Sequence, residues 1–174
     1  MSAEVYLGLG GNLGDPPATF HKAIGQISDF AQVLGVSKLY RSKPYGFSDQ
    51  PDFYNAAARI LTNLPPLNLL ACLQELEQKL GKKVIRENGP RIIDLDLLLY
   101  GDEILNLPDL QLPHPGILQR DFVLRPLHDL NPALSHPSWQ KKTLKTALAD
   151  LGQSYLLEYS QALEDPTYLN HPAI

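Results

Sequence analysis

Apolar and polar positions change period several times along the chain, and each change marks an element. Val5 to Gly10 is a short β-prone run that leads through Gly11-Asn12-Leu13-Gly14-Asp15 to Pro16-Pro17, which predicts a strand, a Gly-rich turn and a helix start. From Thr19 to Phe30 the apolar residues Phe20, Ala23, Ile24, Ile27 and Phe30 recur at spacings of three and four, as on an amphipathic helix. Val33 to Tyr40 returns to a strand-like mixture, and Arg41 to Pro51 is a long loop punctuated by Pro and Gly, of a length often given to function. Asp52 to Leu61 alternates, with Phe53, Asn55, Ala57 and Arg59 on one face and Tyr54, Ala56, Ala58 and Ile60 on the other. Pro65-Pro66 opens a helix through Leu69, Leu70, Leu73, Leu76 and Leu80, which Gly81 closes. A basic loop, Lys82 to Arg91, leads into a strand from Ile92 to Tyr100. Gly101-Asp102 then turns, and Glu103 to Leu107 can hairpin back. Leu112 to Pro115 is extended, short helices are expected over Phe122 to Leu130 and Lys142 to Leu151, and the tail beyond Gly152 has no assignable pattern. The order β-α-β-β-α-β with appended C-terminal elements predicts one α+β domain over residues 1–174, a sandwich with helices on one sheet face.

Composition narrows the class. At 174 residues the chain can bury roughly 68–70% of its unfolded surface, enough for one core without a staple. The lone Cys72 excludes a disulfide framework and a Cys-rich zinc site. With nothing like a signal segment near Met1, a cytoplasmic, reducing compartment is expected. The apolar run Ile92–Tyr100 is interrupted by carboxylates and falls far short of the ~20 residues of a membrane span, so no membrane partner is expected. A net charge of −4 argues against bulk nucleic-acid binding. That total conceals its distribution: Gln78 to Arg91 carries five cations against one acid, a local +4.

The sharpest chemical feature is Asp94-Leu95-Asp96. Two residues apart on a strand, both carboxylates project from one face with Cα atoms about 6.5 Å apart. Such a pair repels unless something positive sits with it. A magnesium ion held by one or two carboxylates, water and phosphate oxygens suits the pair. Asp is also depleted in strand interiors, which counts against a merely solvated face. The adjacent cations Lys79, Lys82, Lys83, Arg86 and Arg91 fit the charge redistribution of polyphosphate transfer. Phe53 and Asn55, sharing a face, could stack and read a flat heteroaromatic ligand, or serve as a core aromatic with a structural amide. The Gly-rich segment lacks both the dinucleotide and the P-loop spacing, so a tight strand-to-helix turn is its expected role.

The string Asn88-Gly89-Pro90-Arg91-Ile92-Ile93-Asp94-Leu95-Asp96-Leu97-Leu98 resembles the signature of the 6-hydroxymethyl-7,8-dihydropterin pyrophosphokinases, folate-pathway enzymes that transfer diphosphate from ATP. Further matches are Gly8 to Gly14, Tyr40 to Pro44, Asp49 to Ala56, and Leu112 to Pro115 through Arg120, Phe122 and Pro126-Leu127, so the resemblance spans about residues 5–130. It implies a ferredoxin-like α+β fold. Asp94 and Asp96 would hold two magnesium ions. Phe53 and Phe122 would sandwich the pterin ring, Asn55 would bond its edge, and Ser42, Lys43, Pro44 and Tyr45 would add loop contacts. Gln74, Glu77, Arg91, Leu97, His114 and Arg120 match positions that contact ATP, the co-substrate. Lys82 and Arg86 would join Arg91 as catalytic cations, although the family usually has an Arg-x-Arg pair after Gly81, and Asn88 stands where it has Trp. The implied partners are the small molecules ATP and pterin, and a monomer is expected. Two other classes compete: a metal-dependent nucleotidyl- or glycosyltransferase using the same carboxylates, which normally needs a larger nucleotide-binding domain, and a nucleic-acid module on a similar sheet.

Overall fold

The structure, a computed structural model, describes residues 2–83, 86–161 and 163. Val84 and Ile85 of the expected basic loop, and residues 164–174 of the unassigned tail, lie outside the described residues. The principal sheet is antiparallel throughout. Its strands are β1 (Ala3–Gly11), β2 (Gln32–Val36), β3 (Leu39–Ser42), β4 (Phe53–Thr62), β5 (Asp94–Tyr100) and β8 (Leu156–Gln161). They lie in the order β5-β1-β4-β3-β8, with β2 also paired to β4. The short β6 (Leu105–Asn106) and β7 (Gln111–Leu112) pair only with each other, so the expected hairpin forms with the segment after it and not with β5.

Period-two alternation sorts side chains onto the two faces of the sheet. Val5, Leu7 and Leu9 of β1, Ala56, Ala58 and Ile60 of β4, and Leu95 and Leu97 of β5 enter one core. Helices α1 (Pro16–Ile27) and α2 (Pro66–Lys79) close it with Phe20, Ile24, Ile27, Leu69, Leu73 and Leu76. The Asp15 side chain accepts from the Ala18 N–H and caps α1, and Pro16 and Pro17 occupy its first turn. The helix therefore starts three residues before the apolar periodicity does.

The other face carries helices too, contrary to the one-sided sandwich expected from sequence. Helices α3 (Asp121–Leu130) and α4 (Leu144–Asp150) lay Leu124, Leu127, Leu144 and Ala147, with Trp139, on Tyr6, Ala57 and Leu98. The physical reason is visible in the sheet: Tyr6, Ala57 and Leu98 are a second apolar set that would otherwise be bare. Three local expectations also change. The strand expected from Val33 to Tyr40 is broken into β2 and β3 where Ser37 Oγ accepts from the Ala57 N–H at 2.8 Å, and Arg41 and Ser42 belong to β3 instead of the loop. Gly11, expected to open the turn, is the last residue of β1.

Candidate active site

β1, β4 and β5 run side by side with β3 beyond, and one row of the register crosses all four as Asp94, Gly10, Asn55 and Tyr40. The neighbouring row places Asp96 beside Gly8 and Gly8 beside Ala57. The glycines leave the middle of this face without side chains. A Cβ at Gly10 would come 3.7 Å from Asn55 Oδ1, and one at Gly8 would come 3.4 Å from Leu98 Cδ1. A cleft of ≈ 770 Å³, counting its open mouth, lies over that bare strip. Its lining combines the rings of Tyr45, Phe53 and Phe122 and the polar Ser42 and Asn55 with the charged Lys43, Arg91, Asp94 and Arg120. A second, more polar groove of ≈ 830 Å³ runs between α2 and β5, lined by Gln74, Glu77, Lys82 and Leu97. Asp96 and His114 line both, so the two cavities meet at that carboxylate.

Charge is concentrated at the meeting point. Lys82 Nζ donates to Asp94 Oδ1 at 2.7 Å and to Glu77 Oε2 at 2.8 Å, and Arg91 pairs with the other Asp94 oxygen. The buried Glu77 is held by the Leu95 N–H, which donates to the same Oε2 at 2.9 Å. Burial pulls the Lys82 ammonium down, but its bonds to Asp94 and Glu77 outweigh this and hold it above its ordinary value. Asp96 has no hydrogen bond or ion pair among the described residues. Protein packed around it, then the charges of Asp94 and Glu77, push its carboxyl up to about 7, although one side of it opens to solvent through the cleft. His114 accepts at Nδ1 from the Gly116 N–H at 3.0 Å, which leaves the neutral ring's proton on Nε2; burial and then Arg120 depress its pKa and favour that neutral form. The guanidinium of Arg91 stands 4.7 Å over the Phe53 ring.

A crowded, unpaired carboxylate beside a second one suits a hard divalent cation, which would relieve the repulsion. Among the described residues no group of three or more His, Cys, Asp or Glu side chains is gathered to hold a metal, so the remaining ligands would come from phosphate oxygens and water.

Most residues singled out from sequence thus gather around Asp96. Four do not line either cavity: Pro44, Lys83, Lys79, which pairs with Glu75 at 3.5 Å, and Arg86, whose guanidinium lies 3.8 Å over the Phe47 ring. Sequence reasoning missed three supports. Asn12, buried, donates through Nδ2 to Gln50 Oε1 and to the Pro51 carbonyl, each at 2.9 Å, and its Oδ1 accepts from the Arg91 N–H at 3.0 Å. Gln50 continues the tie by donating to the Asn88 carbonyl at 2.7 Å. Asp121, at the start of α3, holds the segment after Gly152. Asn12 follows two glycines and reads as an ordinary turn residue; only its long-range partners reveal it.

A double-sided antiparallel sheet with a carboxylate pair between an aromatic-lined cleft and a more polar groove defines the class, an α+β protein with two adjoining cavities. Residues 6–132 match the 7,8-dihydro-6-hydroxymethylpterin-pyrophosphokinase (HPPK) family, and the chain belongs to that family. It is 40% identical over 139 residues to the 2-amino-4-hydroxy-6-hydroxymethyldihydropteridine pyrophosphokinase of Aquifex aeolicus, covering 80% of this chain and 87% of that one. Identity to the Haemophilus influenzae protein of the same name is 43% over 138 residues, 78% and 86% of the two chains. The folic acid synthesis protein fol1 of Pneumocystis carinii is 46% identical over 134 residues; the match covers 76% of this chain but only 18% of that longer protein. Plasmodium falciparum HPPK-DHPS, solved with pteroate, shares the fold with a TM-score of 0.70 at 15% identity, over 86% of this chain and 42% of that one.

Proposed function

We propose that the protein transfers the terminal diphosphate of ATP to 6-hydroxymethyl-7,8-dihydropterin, giving the pterin diphosphate and AMP in tetrahydrofolate biosynthesis. The observation that carries this is the junction at Asp96 and His114, where a cleft suited to a flat ring opens into a groove suited to a nucleotide.

In the cleft, Phe53 and Phe122 supply ring faces for the pterin. Asn55, whose Nδ2 donates to Ser42 Oγ at 2.7 Å, keeps its Oδ1 toward Gly10 as an acceptor for the pterin edge. Lys43 and Tyr45 border the ring from the loop after β3, and Pro44, which lines neither cavity, links them. Gln74, Glu77 and Leu97 form the nucleotide side, and the Nε2–H of His114 and the guanidiniums of Arg91 and Arg120 bind phosphate oxygens. Asp94 and Asp96 would hold magnesium, two ions in this proposal, which supplies charge neutralisation of the polyphosphate. The pterin hydroxyl oxygen bonds to the β-phosphorus as the bond from that phosphorus to the α–β bridging oxygen breaks. AMP departs with the bridging oxygen, and the hydroxyl proton passes to water. Lys82 and Arg91, held on the carboxylates, stand next to where charge shifts, and catalysis is chiefly positioning and charge stabilisation. Arg86 joins this set only if its loop carries it away from Phe47.

We place the protein as a monomer in the cytoplasm, with no nucleic-acid or membrane partner. Its mildly acidic total and single cysteine support this, and no helix among the described residues is long and apolar enough to cross a membrane. Incubation with ATP, magnesium and 6-hydroxymethyl-7,8-dihydropterin is expected to release AMP and the pterin diphosphate. ADP, or no nucleotide product, overturns the assignment.

A further inference from the structure

The segment after Gly152 carries no sequence motif, yet it is bound to the ring-lined cleft on two sides. One oxygen of the buried Asp121, Oδ2, accepts from Ser154 Oγ at 2.9 Å, from the Tyr155 N–H at 2.9 Å and from the Leu156 N–H at 3.0 Å. The Tyr155 carbonyl accepts from the Lys43 N–H at 2.8 Å, and Leu156 pairs with Ser42 in the sheet. Tyr155 is therefore clamped between the first turn of α3, which carries Phe122, and the end of β3, which leads to Tyr45.

Its ring completes a three-ring cluster. The Tyr155 centroid is 5.4 Å from that of Tyr45 and 5.9 Å from that of Phe122, the latter edge-on at 85°, and Tyr45 and Phe122 are 6.2 Å apart. Tyr45 and Phe122 line the cleft and Tyr155 does not, so it supports them from outside. Tyr45 needs that support. It is 41% exposed, lies outside any strand or helix, and precedes Gly46 at φ +82°. Its other ring contact is the Arg120 guanidinium, 4.7 Å over its face.

We propose that Tyr155 is a positioning residue for the planar substrate: by edge contact it holds the Phe122 and Tyr45 rings in place, and so sets affinity for the pterin without touching it. This rests on the pterin diphosphotransferase assignment above. Aromatic pairs of this geometry support an effect of about 3- to 10-fold when the ring is lost. The test is binding of 6-hydroxymethyl-7,8-dihydropterin followed by its fluorescence, together with steady-state constants for both substrates. Tyr155→Ala is expected to raise the Kd and KM for pterin by about 3- to 10-fold, while kcat at saturation and the KM for ATP stay within about twofold. Tyr155→Phe is expected to restore wild-type values, because the Tyr155 hydroxyl has no hydrogen bond among the described residues and the ring is the working part. Should Tyr155→Ala fail to fold, Tyr155→Leu keeps the bulk without the ring and is held to the same outcome. Unchanged pterin binding overturns the inference, as does a loss in which the constants for ATP and pterin move together and Phe gives no rescue. A wild-type protein that neither binds the pterin nor yields AMP overturns the assigned function instead.

Discussion

Lys82 Nζ lies 2.7 Å from Asp94 Oδ1, so a carboxylate proposed to hold magnesium is already paired with an ammonium of its own chain. The same nitrogen reaches Glu77 at 2.8 Å and is mostly shielded, with a side chain 22% exposed. Lys82 is thus a bridge between α2 and β5 as well as a cation next to the groove. Lysine offers a point charge where arginine would offer a planar fork. Lys82→Ala is expected to leave the buried Glu77 without its cation, while Asp94 keeps Arg91, costing about 1–3 kcal/mol of stability by urea unfolding. Turnover should fall by tenfold or more, on the order of 1.4 kcal/mol at the transition state, with pterin affinity spared. An unchanged rate would show the loop charge to be redundant.

Asp96 presents the opposite case, a carboxylate with no cation on it. Its folded pKa of about 7 lies above the ordinary 3.8. Between those values the folded protein binds more protons than the unfolded chain, so in chelator its stability falls as pH rises through that window and the loss is complete above about 7. Asp96→Asn removes the slope. At pH 8 in chelator the variant is expected to be more stable than wild type by about 1 kcal/mol, a figure reduced for the solvent that reaches this side chain through the cleft. The same variant should lose activity by about 10³-fold or more, as should Asp94→Ala and Asp96→Ala with the fold intact by circular dichroism. Stability gained and catalysis lost in one substitution would be the mark of a site built for an added cation. Full activity in any of the three would refute the metal assignment.

What could be read from sequence followed strict local geometry. The period of two along β4 and β5 placed Phe53 with Asn55 and Asp94 with Asp96 on shared faces, because alternation on a strand leaves no other arrangement. The three-and-four spacing of Phe20, Ile24 and Ile27 likewise marked α1. What could not be read depended on remote partners. An apolar stripe such as Leu124 with Leu127 announces a helix face but does not say which side of the sheet receives it. Leu156 to Gln161 has no sign of its own that β3 would be its neighbour, and Asp121 shows its purpose only when Ser154 and Tyr155 fold against it.

Asn12 tests how far such remote ties govern both cavities at once. Its three side-chain hydrogen bonds join the β1–α1 turn to Gln50 and Pro51 beside the ring-lined cleft and to Arg91 beside Asp94. Asn12→Ala would leave the Arg91 N–H, in a partly buried place, without its acceptor and remove both side-chain bonds to the Gln50–Pro51 loop, costing about 1–3 kcal/mol by thermal or urea unfolding. Because one amide holds both loops, the KM values for ATP and pterin are expected to rise together, unlike the pterin-only response at Tyr155. Asn12→Asp keeps the acceptor for Arg91 and loses the donors, so it should fall between wild type and Asn12→Ala. A rise confined to one substrate would mean that the two loops are ordered independently.

Gly10 and Gly11 are adjacent in β1 yet are glycine for different reasons, and alanine separates them. A Cβ at Gly11 would sit 2.3 Å from the Ile92 carbonyl oxygen, a backbone atom that cannot turn aside, on the chain leading into the two aspartates. Gly11→Ala must push Arg91 to Ile93 away from β1, disturbing the bonds by which the Asn12 and Leu13 N–H groups reach the Arg91 carbonyl at 3.0 and 3.2 Å. A loss of about 2–4 kcal/mol is expected in urea unfolding, with activity falling alongside it. At Gly10 the added methyl meets only ordinary contact, 3.7 Å from Asn55 Oδ1, so the fold should tolerate it to within about 1 kcal/mol. That methyl would stand on the floor of the cleft between Asp94 and Asn55. Gly10→Ala is therefore expected to raise the KM for pterin with stability nearly unchanged, and Gly10→Val to raise it further. Equal stability losses at the two positions would show that Gly10 is there for strand packing and not to leave room for a ligand.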